Sequence, residues 1–203
     1  MKITLLALFL VFAFTSTQAD LVLDTEGNPV GNGGSYYILP ARQGNGGGMG
    51  VAATGKESCP LTVVQTTSEQ SNGLPTRLSS PYRIAYLPTN FIMEFTVIAP
   101  PTCAEKPATW TIVGREDETR EVKLVGHQNI VRASFKIRTY HGTTYKMVFC
   151  PSDEEYSCAA LGISKDEKGN RRLVIDDDNP FVVVFHRAGS SNCWMKERTL
   201  SKW

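Results

Sequence analysis

The 203-residue chain lacks most of what would mark an enzyme, a metal protein or a nucleic-acid binder. It has only three histidines, His127, His141 and His186, and no Gly-x-Ser-x-Gly elbow. A hydrolase needs a nucleophile, a base within reach and a group to orient that base. His141 falls in the turn-like Tyr140-His141-Gly142 and His186 closes a β-rich run, so both read as ordinary histidines. No Cys-x-x-Cys pair or histidine cluster suggests zinc. The acidic runs Asp153-Glu154-Glu155 and Asp176-Asp177-Asp178 lack the central glycine and closing glutamate of a calcium loop. They read as solvated turns, and no metal is expected. Gly44 to Gly50 is glycine-rich but lacks the Lys-Ser/Thr ending of a phosphate loop. It reads as a flexible loop, and no cofactor is expected. Asn-x-Ser/Thr is also missing, so no N-linked glycan is expected.

Long apolar runs are absent as well. Leu5 to Phe14 is apolar for about ten residues, against the roughly 20 needed to span a bilayer. Met1-Lys2 puts a positive charge before it, and Thr15-Ser16-Thr17-Gln18-Ala19 follows with a small residue at its end. That order predicts a secretory signal over residues 1–19. Its removal leaves 184 residues, a single-domain length, with 20 basic against 20 acidic side chains. The balance gives no electrostatic footprint for nucleic acid or an anionic membrane, and neither is expected as a partner. A secretory route permits disulfides among Cys59, Cys103, Cys150, Cys158 and Cys193, four of which can pair. Spacing leaves the connectivity open, since four cysteines already allow three pairings.

What the chain does have is short β-prone segments rich in Val, Ile, Tyr, Phe and Thr. They are predicted at 36–39, 61–65, 82–87, 91–98, 109–113, 121–125, 133–140, 144–149, 160–164, 172–175 and 181–186. Gly27-Asn28-Pro29, Asn32-Gly33-Gly34, Asn72-Gly73, Lys168-Gly169-Asn170 and Asp178-Asn179-Pro180 mark turns between them. About eleven strands without a long helical pattern predict an all-β, closed antiparallel fold. Periodicity does not separate a barrel from a sandwich, and no internal repeat stands out.

The segment that points to function is Leu78-Ser79-Ser80-Pro81-Tyr82-Arg83-Ile84-Ala85-Tyr86. With Asp20-Leu21-Val22-Leu23-Asp24, Glu26-Gly27-Asn28-Pro29, Tyr36-Tyr37-Ile38-Leu39, Cys59-Pro60-Leu61-Thr62-Val63-Val64-Gln65 and Tyr145-Lys146-Met147-Val148-Phe149-Cys150-Pro151, it resembles the plant Kunitz-type trypsin inhibitors of the soybean family. The match runs through almost the whole mature chain. The resemblance implies a β-trefoil of twelve strands in three pseudo-repeats, with disulfides Cys59–Cys103 and Cys150–Cys158. It implies no enzymatic activity, and an inhibitor that presents Arg83–Ile84 to a trypsin-like serine protease. Ser80, Pro81, Tyr82 and Ala85 would flank that bond, and Asn32 would support the loop. Ala85 stands where the family's soybean prototype has an arginine.

The residue chemistry agrees. Arg83 is always charged and suits the acidic floor of a trypsin-like pocket. Pro81 restricts its own backbone and that of Ser80, favouring a pre-shaped loop. The domain is expected over 20–187, followed by a tail over 188–203 that is a candidate for trimming. The protein is expected to be a monomer, outside the cell or in the plant vacuole, with Cys193 free or paired between molecules. Two other readings remain. One is a storage or carbohydrate-binding trefoil without inhibitory action. The other is inhibition of a subtilisin-like protease or an amylase through another loop, for which Arg42 is a candidate.

Overall fold

A computed structural model of the chain describes residues 20–44, 46–114, 119–127, 129–131, 133–151 and 157–189. Thirteen strands run through them: β1 Gly34–Pro40, β2 Met49–Ala52, β3 Thr62–Gln65, β4 Thr76–Ser79, β5 Ile92–Val97, β6 Trp110–Val113 and β7 Glu121–Leu124. They continue with β8 Ile130–Val131, β9 Ala133–His141, β10 Thr144–Pro151, β11 Ala159–Lys165, β12 Arg171–Ile175 and β13 Val182–Arg187. The predicted signal at 1–19, Asp153-Glu154-Glu155 and Cys193 lie outside the described residues.

All strand pairings are antiparallel, and their order answers the question that periodicity leaves open. Six strands follow the path β13-β1-β4-β5-β9-β10, and β10 pairs back with β13 through Tyr145 opposite Val183. The path closes into a barrel. The hairpins β2–β3, β6–β7 and β11–β12 meet one another through β3–β12, β3–β7 and β12–β7. Each hairpin is inserted between two barrel strands, so the three together cap one end of the barrel. This is the β-trefoil, with β8 as a short addition beside β6.

Alternating side chains explain the closure. In β5, Met93, Phe95 and Val97 are buried while Glu94 is exposed, and β4 buries Thr76 and Leu78 in the same way. Such a period of two directs every second residue to the barrel interior. Phe95 stacks on Trp110 with ring centres 4.8 Å apart, and Phe135 meets Phe95 edge-on at 5.8 Å. This aromatic seam joins a barrel strand to a cap hairpin. Ile137 is fully buried in the same core. Replacing it with valine is expected to lower the unfolding free energy by about 1 kcal/mol, measured by denaturant titration.

Two expectations need correction. Residues 82–87 are not a strand: only Tyr86 makes a bridge, to Gly31, and Tyr82 and Tyr86 stay exposed. Their β-prone side chains have no ladder to join, because other groups take up the local backbone. The glycine run is not a free loop either. Met49 and Gly50 open β2 and are buried, and Gly47 and Gly48 donate backbone hydrogen bonds to Thr66 and Ser71 at 2.9 and 2.8 Å. A Cβ on Gly47 or Gly48 would collide with the carbonyls of Ser68, Ser71 or Asn72. Glycine is there for close backbone approach rather than for mobility.

A group of linked ion pairs lies on the cap. Lys123 of β7 pairs with Glu57 at 2.6 Å and with Glu121 at 2.9 Å, and Arg172 reaches Glu121 at 3.1 Å. Burial opposes ionisation of Glu57, but hydrogen bonds from Lys123, the Thr54 N–H and Thr62, with the lysine charge, outweigh it. The carboxyl is held below its ordinary value. A lowered carboxylate contributes stability above its unfolded value, which is lost as pH falls through the folded one. Glu57→Gln is therefore expected to flatten the loss of stability below about pH 4. Thermal melts of both proteins from pH 7 to 2.5 check this.

Candidate functional site

The β4–β5 connection leaves the barrel at the end opposite the hairpin cap. Its two feet are tied together. Ser80 donates from Oγ to the Ile92 carbonyl at 2.7 Å, and Leu87, which is fully buried, donates its N–H to Val30 at 2.9 Å. The N-terminal segment braces the far foot: Val22 N–H donates to Leu87, and Thr89 N–H donates to the Asp20 carbonyl. Between these anchors Pro81, Tyr82, Arg83, Ala85 and Tyr86 are exposed, while Ile84 turns inward against the core.

Asn32 sits beneath this arch. Its Nδ2 donates to the carbonyls of Ser80 at 3.4 Å, Tyr82 at 3.1 Å and Ile84 at 3.1 Å. Its Oδ1 accepts the Ser80 N–H at 2.9 Å, and its own N–H donates to Ala85 at 2.9 Å. One side chain thus holds the loop backbone on both sides of Arg83. The Ile84 N–H also donates to the Tyr82 carbonyl at 2.9 Å, closing a three-residue turn with Arg83 at its apex. The Arg83 guanidinium has no ionic or hydrogen-bond partner among the described residues. The result is an uncommitted cation on a rigid, outward-pointing backbone.

Cys59–Cys103 and Cys150–Cys158 are bridged, with Cα atoms 6.1 and 4.1 Å apart. The first bridge spans a separation of 44 residues that includes Arg83. It contributes about 4 kcal/mol in the loop-entropy model. More important here, a cut at residues 83–84 leaves both new ends attached to one molecule.

The remaining sequence candidates are placed apart from this site. Arg42 lies in the Ala41–Gly44 turn, where the hydrogen bond from Ala41 N–H to Val182 is the tie among the described residues. Among the described residues, no side chain holds the backbone on both sides of Arg42 as Asn32 holds residues 80–85. His186 is buried with Nδ1 2.9 Å from Thr25 Oγ1, and His141 is exposed against Tyr140. His127 lies near the charged cap, its pKa lowered by burial and then by the Lys123 charge. Asp176 and Asp177 accept backbone N–H groups of Asn179 and Ala160. Sequence reasoning missed the Ser80–Ile92 tie and the edge-on contact of Tyr82 with Phe91, at 5.8 Å. Nothing local in the sequence signals either one.

The trefoil barrel is the architecture of a class of protease inhibitors. The chain belongs to the Kunitz legume family of trypsin and protease inhibitors, whose model matches residues 22–187. It is 42% identical over 202 residues to the Kunitz-type trypsin inhibitor KTI1 of Glycine max, covering 91% of this chain and 96% of that one. The solved soybean trypsin inhibitor superimposes with a TM-score of 0.77 at 38% identity, over 83% of this chain and 100% of that one. A complex of porcine pancreatic trypsin with soybean trypsin inhibitor matches with a TM-score of 0.76 at 38% identity, over 83% of this chain and 99% of that chain.

Proposed function

We propose that this protein inhibits trypsin-like serine proteases by offering Arg83–Ile84 as a substrate-like bond. The observation that carries the reading is the Asn32 brace, with hydrogen bonds on both sides of an unpartnered Arg83. A guanidinium seated against a carboxylate in a desolvated pocket is a strong anchor. Because the loop is already ordered, binding costs little conformational entropy. The same brace explains survival of the bond. After cleavage, Asn32 and the Cys59–Cys103 bridge keep the new amine beside the acyl group, where high effective concentration favours religation.

In this reading residues 1–19 direct secretion, residues 20–187 are the inhibitory domain, and 188–203 are a tail that is a candidate for trimming. The disulfides support a secretory route, and the backbone ties from Asp20 and Val22 to the loop foot support a domain beginning at residue 20. Titration of bovine trypsin with the oxidised chain over 20–203 tests the function. Stoichiometric loss of activity is expected. A folded, disulfide-bonded protein that leaves trypsin fully active overturns the reading.

A further inference from the structure

From Leu78 to Met93, Arg83 is the single charged residue. The side chains around it are instead large and apolar. Tyr82 is 49% exposed, Tyr86 50% and Phe91 36%. Exposed rings of this size in one segment are unfavourable in water unless another surface covers them.

Phe91 differs from the other two because it lies outside the loop, directly before β5. Its backbone is fixed on both sides. Asn90 takes the left-handed conformation, with φ of 64°, and donates its N–H to Ile137 at 2.8 Å. Ile92 pairs with Lys136 and accepts the Ser80 hydroxyl. The Phe91 ring therefore stands on a rigid strand end. It meets the Tyr82 ring edge-on, at 5.8 Å between centres and 82° between planes, the arrangement that aromatic quadrupoles favour. Tyr82 immediately precedes Arg83, so its ring must enter whatever subsite adjoins the acidic pocket.

We propose that Phe91 is a positioning residue for Tyr82, and that the pair selects proteases with an open, apolar surface beside the acidic pocket. The inference rests on Arg83 as the bait. A free tyrosine ring at the loop apex samples several rotamers and loses that freedom on docking. Backed by Phe91, it is held before the protease arrives. The surface it meets must be apolar, because the ring pair brings no charge and Arg83 is already committed to its own pocket. A protease carrying a charged or walled-off subsite there pays the cost of desolvating that charge or of displacing the ring.

A double-mutant cycle tests this on inhibition constants for bovine trypsin, using Phe91→Ala, Tyr82→Ala and the double variant beside wild type and Arg83→Ala. Phe91→Ala is expected to weaken inhibition about fivefold, and to add almost nothing once Tyr82 is already alanine. Phe91→Tyr, which keeps an edge-on ring, is expected to restore inhibition close to wild type. Ile98→Ala, an exposed apolar residue elsewhere on the surface, should change nothing, which separates positioning from general surface effects. If inhibition depends on Arg83 but Phe91→Ala behaves as wild type, or the single effects multiply in the double variant, the inference falls while the bait reading stands. If wild type shows no Arg83-dependent inhibition, both fall.

Discussion

Arg83→Ala is expected to weaken inhibition of trypsin by about 1,000-fold or more, with folding unchanged. Truncating a desolvated, charge-paired anchor at the centre of an interface costs upwards of about 4 kcal/mol, and every 1.4 kcal/mol is tenfold. Much of that cost falls on the protease, whose pocket carboxylate loses its partner and stays buried. The inhibitor itself should not notice. Arg83 is exposed and makes no internal ion pair or hydrogen bond among the described residues, so its removal leaves the loop ties intact. Arg83→Lys separates charge from shape. It keeps a cation but loses the planar fork, and should fall between the two. Tight-binding assays with a melting temperature for each variant check the prediction. A folded Arg83→Ala protein that still inhibits like wild type would move the active loop elsewhere, with the Arg42 turn the next to examine.

Asn32→Asp is expected to cost about 100-fold in inhibition although it changes no side-chain volume. One carboxylate oxygen can still accept the Ser80 N–H. The other replaces the NH₂ that donates to Ser80, Tyr82 and Ile84, and so points a negative charge at three carbonyl dipoles. The loop should loosen where the protease needs it rigid. A second readout follows from the bridge: trypsin should cut the variant after Arg83 faster than it cuts wild type. The nick would appear as two fragments only after reduction, because Cys59–Cys103 spans it. Equal inhibition and equal cleavage in the two proteins would show that Asn32 is ordinary turn chemistry.

Both predictions draw on residues the sequence singles out, yet for different reasons. Arg83 stands out through the family resemblance of its segment and through a fixed charge that suits an acidic pocket. Asn32 is ambiguous as a sequence feature, because Asn-Gly-Gly is also a common turn. Its role depends on contacts 48 to 52 residues away along the chain, which no local pattern encodes. The segment 82–87 shows the opposite failure. Its tyrosines, isoleucine and leucine have strand propensity, but propensity describes a fit to neighbouring strands, and this segment has none.

The amino-acid pattern by itself determined that the chain is all-β, since its segments rich in Val, Ile, Tyr, Phe and Thr are too short for helices, and those at 92–97 and 121–124 alternate in burial. Resemblance to a known family supplied Arg83 as the proposed bait and the disulfide pairing that the structure contains. The resemblance implied a trefoil, but nothing in the residue pattern itself revealed the closure of six strands into a barrel, the threefold arrangement of hairpins, or the strand hidden in the glycine run at Met49–Ala52, which the tertiary structure shows. The physical reason is common to all three. The thirds of a trefoil share backbone path and alternation of burial but not particular side chains, so their symmetry leaves no repeat to read. Likewise, glycines packed against the carbonyls of Ser68, Ser71 and Asn72 look the same in sequence as glycines in a loose loop. Long-range contact distinguishes them, and contact exists only once the chain is folded.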